Sequence, residues 1–253
     1  MLTHSNRVMI LAAIAAVAVV VMFFVDPIPQ DPAYHLFADT RRIAGIPNFW
    51  DVVSNLPFLL VGIYGLGRYK NLEEGMRSSA YIMLCSGVLL VCFGSAYYHL
   101  SPSTASLLWD RLPMTVAFMS LFSMLLDERV RPGARHGSLW PLVIIGIGSA
   151  AYWSITESQG HGDLRPYALV QFLPIVLMPL ILWLFTAKYL RGNLLMWAFG
   201  FYVLAKVFEH FDGTVFEALG PLSGHTIKHL VAGIAVLCVV LAVPVRAEGQ
   251  ENP

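Results

Sequence analysis

Charge is scarce in this sequence. Asp, Glu, Lys and Arg make up 13% of its 253 residues, where a soluble domain carries about 25%. With 57% hydrophobic residues and a mean hydropathy of +0.66, that scarcity excludes a water-soluble globule and, equally, a disordered chain. No sign of charge dominates: 16 Lys and Arg balance 16 Asp and Glu. There is therefore no basic footprint for nucleic acid. Cysteine is nearly missing, and Cys85, Cys92 and Cys238 all sit inside apolar runs, which excludes a disulfide framework. The sequence has no linker, no evident repeat and no N-x-Ser/Thr sequon; the last absence accords with a bacterial inner membrane.

What the sequence has instead is long apolar runs. A helix needs about 20 mostly apolar residues to cross the hydrocarbon core, and eight stretches qualify: 8–25, 48–67, 80–99, 107–126, 138–156, 166–187, 194–210 and 226–245. The expectation is an all-α, polytopic transmembrane helical bundle, with short connections that pack neighbouring spans antiparallel. The first run resembles a signal peptide, with Arg7 ahead of an apolar core. Asp26-Pro27-Ile28-Pro29 follows it in place of a small-x-small cleavage site, so it reads as an uncleaved anchor. Lys and Arg set the orientation. Arg7, Arg68, Lys70, Arg77, Arg129, Arg131, Arg135, Lys188, Arg191 and Arg246 fall on one side, whereas Arg41, Arg42 and Arg165 fall on the other. Both termini are then cytoplasmic, and the second side is periplasmic.

Ionisable residues inside or at the ends of spans need a reason to be there. They gather at one depth, the periplasmic one. His99 closes the third span, Asp110 opens the fourth, Lys206, Glu209, His210 and Asp212 close the seventh, and His225, Lys228 and His229 open the eighth; Asp51 opens the second. His225 and His229 are an i,i+4 pair on one helix face, the spacing with which two imidazoles chelate one zinc ion. A catalytic zinc takes three protein ligands and keeps an open position, and His99 can supply the third. Ser95, one turn below His99, and Asp110, at the start of the next helix, can reach the same point. Zn2+ would lower the pKa of water and polarise a carbonyl, Asp110 would act as general base and Ser95 would donate to the developing oxyanion. Apolar walls would suit a lipid tail.

Plainer readings compete. A histidine in a membrane helix often only bridges helices, and a serine often bonds its own backbone. Asp110 and Arg111 can form an interfacial ion pair. Lys206 and Glu209, at i,i+3, read as a self-neutralising pair. Glu209, His210 and Asp212 read either as a competing site or as a shell that orients the ligands. Trp50, Trp109, Trp140 and Trp153 read as the interfacial aromatic belt. A transporter using the polar cluster as an ion path is a further alternative; it leaves the three-histidine spacing unexplained.

Four strings, Asn48-Phe-Trp-Asp-Val-Val-Ser-Asn-Leu-Pro-Phe58, Gly94-Ser-Ala-Tyr-Tyr-His99, Leu108-Trp-Asp110-Arg-Leu-Pro-Met114 and Gly224-His225-Thr-Ile-Lys-His229, resemble the alkaline ceramidase family. Its wider group of seven-helix zinc membrane hydrolases includes adiponectin-type receptors and haemolysin-III-like proteins. The resemblance spans roughly residues 34–245. It implies a seven-helix core with one added N-terminal helix, that is, an anchor over 1–30, a hydrolase domain over 31–247 and a short polar tail over 248–253. It also implies zinc on His99, His225 and His229 and catalysis by Ser95 and Asp110. The implied reaction is hydrolysis of the N-acyl bond of ceramide, or a related N-acyl lipid, to fatty acid and sphingoid base, with a membrane lipid as the partner molecule. A receptor-like or haemolysin-III-like member of the group is the alternative. Animal members carry a Ca2+ site before the first core helix; here Asp39 and Asn48 fall near two of its positions, and Tyr, His and Phe replace the other acidic ligands. Calcium takes six to eight oxygens, more than these side chains supply.

Overall fold

The computed structural model describes residues 2–132 and 137–246. Arg135 and the 248–253 tail lie outside the described residues. Each of the eight apolar runs is helical. The helices are α1 (His4–Met22), α2 (Phe49–Val53), α3 (Leu56–Arg68), α4 (Ser79–Leu100), α5 (Thr104–Leu125), α6 (Leu139–Ser158), α7 (Arg165–Leu184), α8 (Gly192–His210), α9 (Asp212–Leu219) and α10 (Gly224–Ala242). The second run is divided into α2 and α3 by Ser54 and Asn55, and Pro57 follows in the first turn of α3. The seventh run continues into α9 through a bend of 80°.

Among the described residues, six helical spans are long and apolar enough to cross a membrane: α1, the α2–α3 stretch, α4, α6, α7 and α10, with the bent α8–α9 pair a seventh if it is counted as one span. The chain is a multi-pass membrane protein. α5 falls short on its own because it carries Ser106, Asp110, Arg111, Thr115, Ser120 and Ser123. Except for the half-buried Asp110, these side chains are buried within the bundle, where Ser106, Thr115 and Ser123 bond to protein groups of the loop, their own helix and Ser138, and Arg111 bonds to Gln30.

The helices after α1 close into a ring. α4 packs on α3 and α5, α5 on α6 and α7, and α10 joins α8 back to α3. The α7–α8 seam is the most loosely packed in the ring. α1 lies outside it against α7, with Leu11 buried and Arg7 Nη1 donating to the Leu184 carbonyl at 2.6 Å. The end away from the histidines is closed by a buried Glu128–Arg129 pair (3.1 Å). Glu128 Oε1 accepts the backbone N–H groups of Lys188, Tyr189 and Leu190, and Arg129 donates to the carbonyls of Phe185 and Leu190.

The expectation of short connections fails between α1 and α2. Residues 23–48 form a strap that crosses the histidine end of the bundle. Leu164 N–H bonds to the Ile28 carbonyl, Gln30 Oε1 accepts from Arg111, and Ala38 N–H donates to Asp212. The strap mixes apolar and polar residues and is broken by Pro27, Pro29, Pro32 and Pro47, so it contributes no hydrophobic period, and only its tertiary contacts give it a place.

α4 and α5 touch backbone to backbone at Gly87, against Ala117, and at Gly94. Pro113 lies inside α5 and offers no N–H to the Trp109 carbonyl one turn earlier. That carbonyl faces Gly94, where an added Cβ would collide with it and come within 3.3 Å of Pro113 Cγ. Gly148, on α6, has nothing within 4 Å of the same position. Gly94→Ala is therefore expected to lose about 1–3 kcal/mol by overpacking, whereas Gly148→Ala should leave stability unchanged or slightly raised. Thermal unfolding of the two variants in detergent checks this.

Candidate metal and catalytic centre

The sequence pattern predicts three histidines at one depth, and the structure brings them to one point. One nitrogen each from His99, His225 and His229 lies within 4.8 Å of the others, all three residues being buried. His99 Nε2 and His225 Nε2 are 3.3 Å apart, and the three rings pack edge to face with centroids 4.8–5.1 Å apart.

The start of α10 is held from several directions. Ser223 caps the helix through the Thr226 N–H. Thr226 Oγ1 donates to Asp51 Oδ1 at 2.6 Å, which ties α10 to α2. Asp212 Oδ1 accepts the His225 backbone N–H at 2.7 Å, and its Oδ2 accepts the Ala38 N–H from the strap. At Gly224 an added Cβ would strike the Phe208 carbonyl and come within 2.7 Å of Asp212 Cα, so only glycine lets α10 come this close to the α8–α9 corner. Ser54, at the α2–α3 break, lies 2.8 Å from His229 Nδ1. That bond leaves Nε2 of the ring for the shared point. Asn48, in a left-handed backbone conformation, donates to the His99 carbonyl at 2.7 Å.

Three convergent imidazole nitrogens, one of them oriented through its second nitrogen, are a donor set for a divalent transition metal. Ser95 is buried on α4, and its hydroxyl interacts with the Asp110 carboxylate from α5. Ser95, Asp110 and His229 line one cavity of about 500 Å3. From there the cavity runs between helices to Leu125, Leu182 and Val239. From His229 to Val239 along α10 that is about 15 Å at 1.5 Å per residue. Its walls are mainly apolar; its polar groups sit at the histidine end.

Some expectations need correction. Trp153 is not part of an interfacial belt: it is fully buried beneath the Arg111 guanidinium, 4.1 Å from its ring centre. Trp109 and Trp140 are more than half exposed, as a belt requires. Arg111 does not pair with Asp110. It turns to Gln30 on the strap and stacks on Trp153 and Tyr167. Asp212 orients α10 and is no competing ligand. Lys206 and Glu209 do pair, and Lys228 joins them with Nζ 2.7 Å from Glu209 Oε1.

Asp39 and Asn48, the two residues matched against a calcium site, are both engaged with protein groups, Asn48 with the His99 carbonyl. Both Asp39 oxygens are taken by Arg41, which donates from its backbone N, Nε and Nη2. Arg41 Nη2 also reaches the Pro221 carbonyl, so the pair pins the strap to the loop before α10.

Sequence reasoning missed Phe37, whose ring lies 4.5 Å from that of His225 and 4.7 Å from that of His99, covering the triad. Nothing in its neighbourhood flags it. It also missed Ser54, although the Ser-Asn-Leu-Pro-Phe string contains that residue.

Burial pushes the Asp39 carboxyl up, but its hydrogen bonds to Arg41 and the guanidinium charge outweigh this and hold it below the ordinary carboxylate range. A carboxyl lowered on folding stabilises the fold above its unfolded value, near pH 4, and that contribution is lost as the pH falls through the folded value. The wild-type melting temperature should therefore fall more steeply on acidification below about pH 4 than that of Asp39→Asn. Parallel curves for the two proteins would show that the pair does not hold the strap.

The sequence matches the family model described as Ceramidase over residues 39–252; no curated protein matches it. The match begins in the strap and takes in α2 through α10, so all three histidines, Ser95 and Asp110 lie within it while α1 lies outside. The chain belongs to the ceramidase family, membrane hydrolases that cleave the amide bond of the lipid ceramide.

Proposed function

We propose that this protein is a zinc-dependent integral membrane amidase in which His99, His225 and His229 hold the metal, Asp110 is the general base and Ser95 binds the carbonyl oxygen. The observation that carries the reading is the convergence of three buried imidazole nitrogens beside a mainly apolar cavity that also holds Ser95 and Asp110. Zinc bound to this set supplies a Lewis acid that polarises the amide and lowers the pKa of water. Ceramide is the first substrate, and other N-acyl lipids share the chemistry.

The protein's own residues do the rest. The apolar cavity takes one hydrocarbon chain and sets the amide at its polar end. The loose α7–α8 seam lets that chain enter sideways from the bilayer. Asp110 accepts a proton from the attacking water and returns it to the leaving nitrogen. Ser95 sits beside Asp110 and donates its hydroxyl to the oxygen that gains charge. The strap, with Phe37 over the histidines, limits bulk water. The excess of Lys and Arg at the opposite end supports a bacterial inner-membrane placement with both termini cytoplasmic and the site toward the periplasm.

Elemental analysis of the purified protein should find close to one zinc per chain, and the His225→Ala/His229→Ala double variant should have lost it. A metal-free wild type after metal-replete preparation would overturn the reading. Asp110→Asn should keep the metal and lose about 10²–10⁴-fold in ceramide turnover, the range for general-base removal; turnover near the wild-type rate would remove Asp110 from its role. Ser54→Ala should weaken metal affinity about 10- to 100-fold, as loss of an orienting partner does, measured by chelator competition.

A further inference from the structure

We propose that Lys228 is a further catalytic residue, whose ammonium binds the substrate carbonyl oxygen and stabilises the charge it gains when the amide is attacked. The inference rests on the reading of the site given above.

Position comes first. Lys228 lies three residues after His225, so α10 carries it on the side that carries His225, about 100° round the helix from His229. Its Nζ reaches to 3.5 Å from His225 Nε2, one of the three nitrogens that converge. Lys228 lines the same cavity as Ser95, Asp110 and His229, and its side chain is 20% exposed. A group bound at the shared point is therefore within an ammonium's reach.

Charge is the second observation. Glu209 holds Lys228 through Oε1 and Lys206 through Oε2. A structural ion pair needs one lysine. Here two lysines share one carboxylate, and the Asp110 carboxylate of the same cavity balances the second until Asp110 takes up a proton in the reaction, which then leaves an excess positive charge beside the histidines. Arg111 is close by and adds no anion, since its guanidinium is spent on Gln30 and on the aromatic faces of Trp153 and Tyr167. Excess positive charge in a partly desolvated site is costly, and a negative charge that appears during the reaction offsets it.

Donor count is the third. An ammonium has three N–H donors. One goes to Glu209 and one faces His225 Nε2. Once His225 Nε2 serves as a ligand it no longer accepts, so two donors are free for the cavity. Ser95 offers one neutral donor, and a charge-assisted bond is roughly twice as strong as a neutral one.

The step balances as follows. Water oxygen bonds to the carbonyl carbon as Asp110 takes a water proton. The carbonyl π pair moves onto oxygen, which Lys228 and Ser95 hold. That pair returns, the carbon–nitrogen bond breaks, and Asp110 gives its proton to nitrogen. The products are a fatty acid and a free amine.

The test compares Lys228→Met, Lys228→Gln and Lys228→Arg with the wild type. Metal content and melting temperature are recorded for each, so that a folding failure in one variant leaves the others to decide. Two ligands are titrated by calorimetry: a phosphonamidate analogue of ceramide, whose tetrahedral phosphorus group is anionic, and ceramide itself in an Asp110→Asn background. With metal retained, Lys228→Met and Lys228→Gln should lose about 10²–10³-fold in kcat, the range for removal of one oxyanion donor. KM should stay within about threefold, because ground-state binding is spared. The phosphonamidate should weaken by the same order as kcat, while ceramide affinity holds, and Lys228→Arg should recover part of the loss. Equal weakening of both ligands, wild-type kcat in the neutral variants, or metal loss from them would overturn the assignment and leave Lys228 a structural pair of Glu209. If the wild type neither holds metal nor cleaves N-acyl lipids, the reading of the site fails first.

Discussion

Everything at the site depends on helices meeting without side chains between them. Ser95 and Asp110 share one place because Gly94 lets α4 settle on a carbonyl that Pro113 has released from α5. His225 reaches His99 because Gly224 lets α10 settle on the Phe208 carbonyl and on Asp212. In both cases the residue after the glycine is one to which the proposed reaction gives a role. In lipid, close backbone approach of this kind is a main source of helix association, since apolar side chains gain little by leaving one hydrocarbon surroundings for another. The two glycines therefore set the distances between functional groups as well as the packing of the bundle.

A second constraint follows from depth. A polar group away from water must find its partner within the protein. At the start of α10, Ser223, Thr226 and Asp51 form one set of bonds, and Asp212 with the His225 N–H forms another. These bonds hold the helix end in position, and with it the two imidazoles it carries. Ser54 holds one ring directly. The polar residues that look out of place in a membrane span are thus of two kinds, those that converge on the site and those that aim them.

Much of this was legible in the residues. Each apolar run is a helix, and the i,i+4 spacing of His225 and His229 places two nitrogens together by local geometry alone. His99 is more instructive, because the helix count and alternating direction are enough to bring it to the depth of α10. What stayed hidden depends on tertiary contact. Trp153 looks like any tryptophan near a span end, and only its position over Arg111 makes it a core residue. Arg111 follows Asp110 directly, yet successive residues on a helix point about 100° apart, so adjacency in sequence misled. The strap was invisible because extended, proline-containing segments carry no periodic signal.

The strap has a kinetic consequence. It is fastened at Asp212, Arg111, Pro221 and Leu164, and Phe37 covers the face of the triad that looks toward water. Passage of an ion between the histidines and bulk solvent then requires several of these fastenings to open together. Exchange is governed by the frequency of that opening, whatever the affinity. Asp212 holds both the strap and the His225 helix end, so the event that uncovers the histidines also loosens one of them. For a metal bound at the triad, capture and release would be one cooperative motion, and an ion acquired while the chain folds would be retained on the timescale of local unfolding.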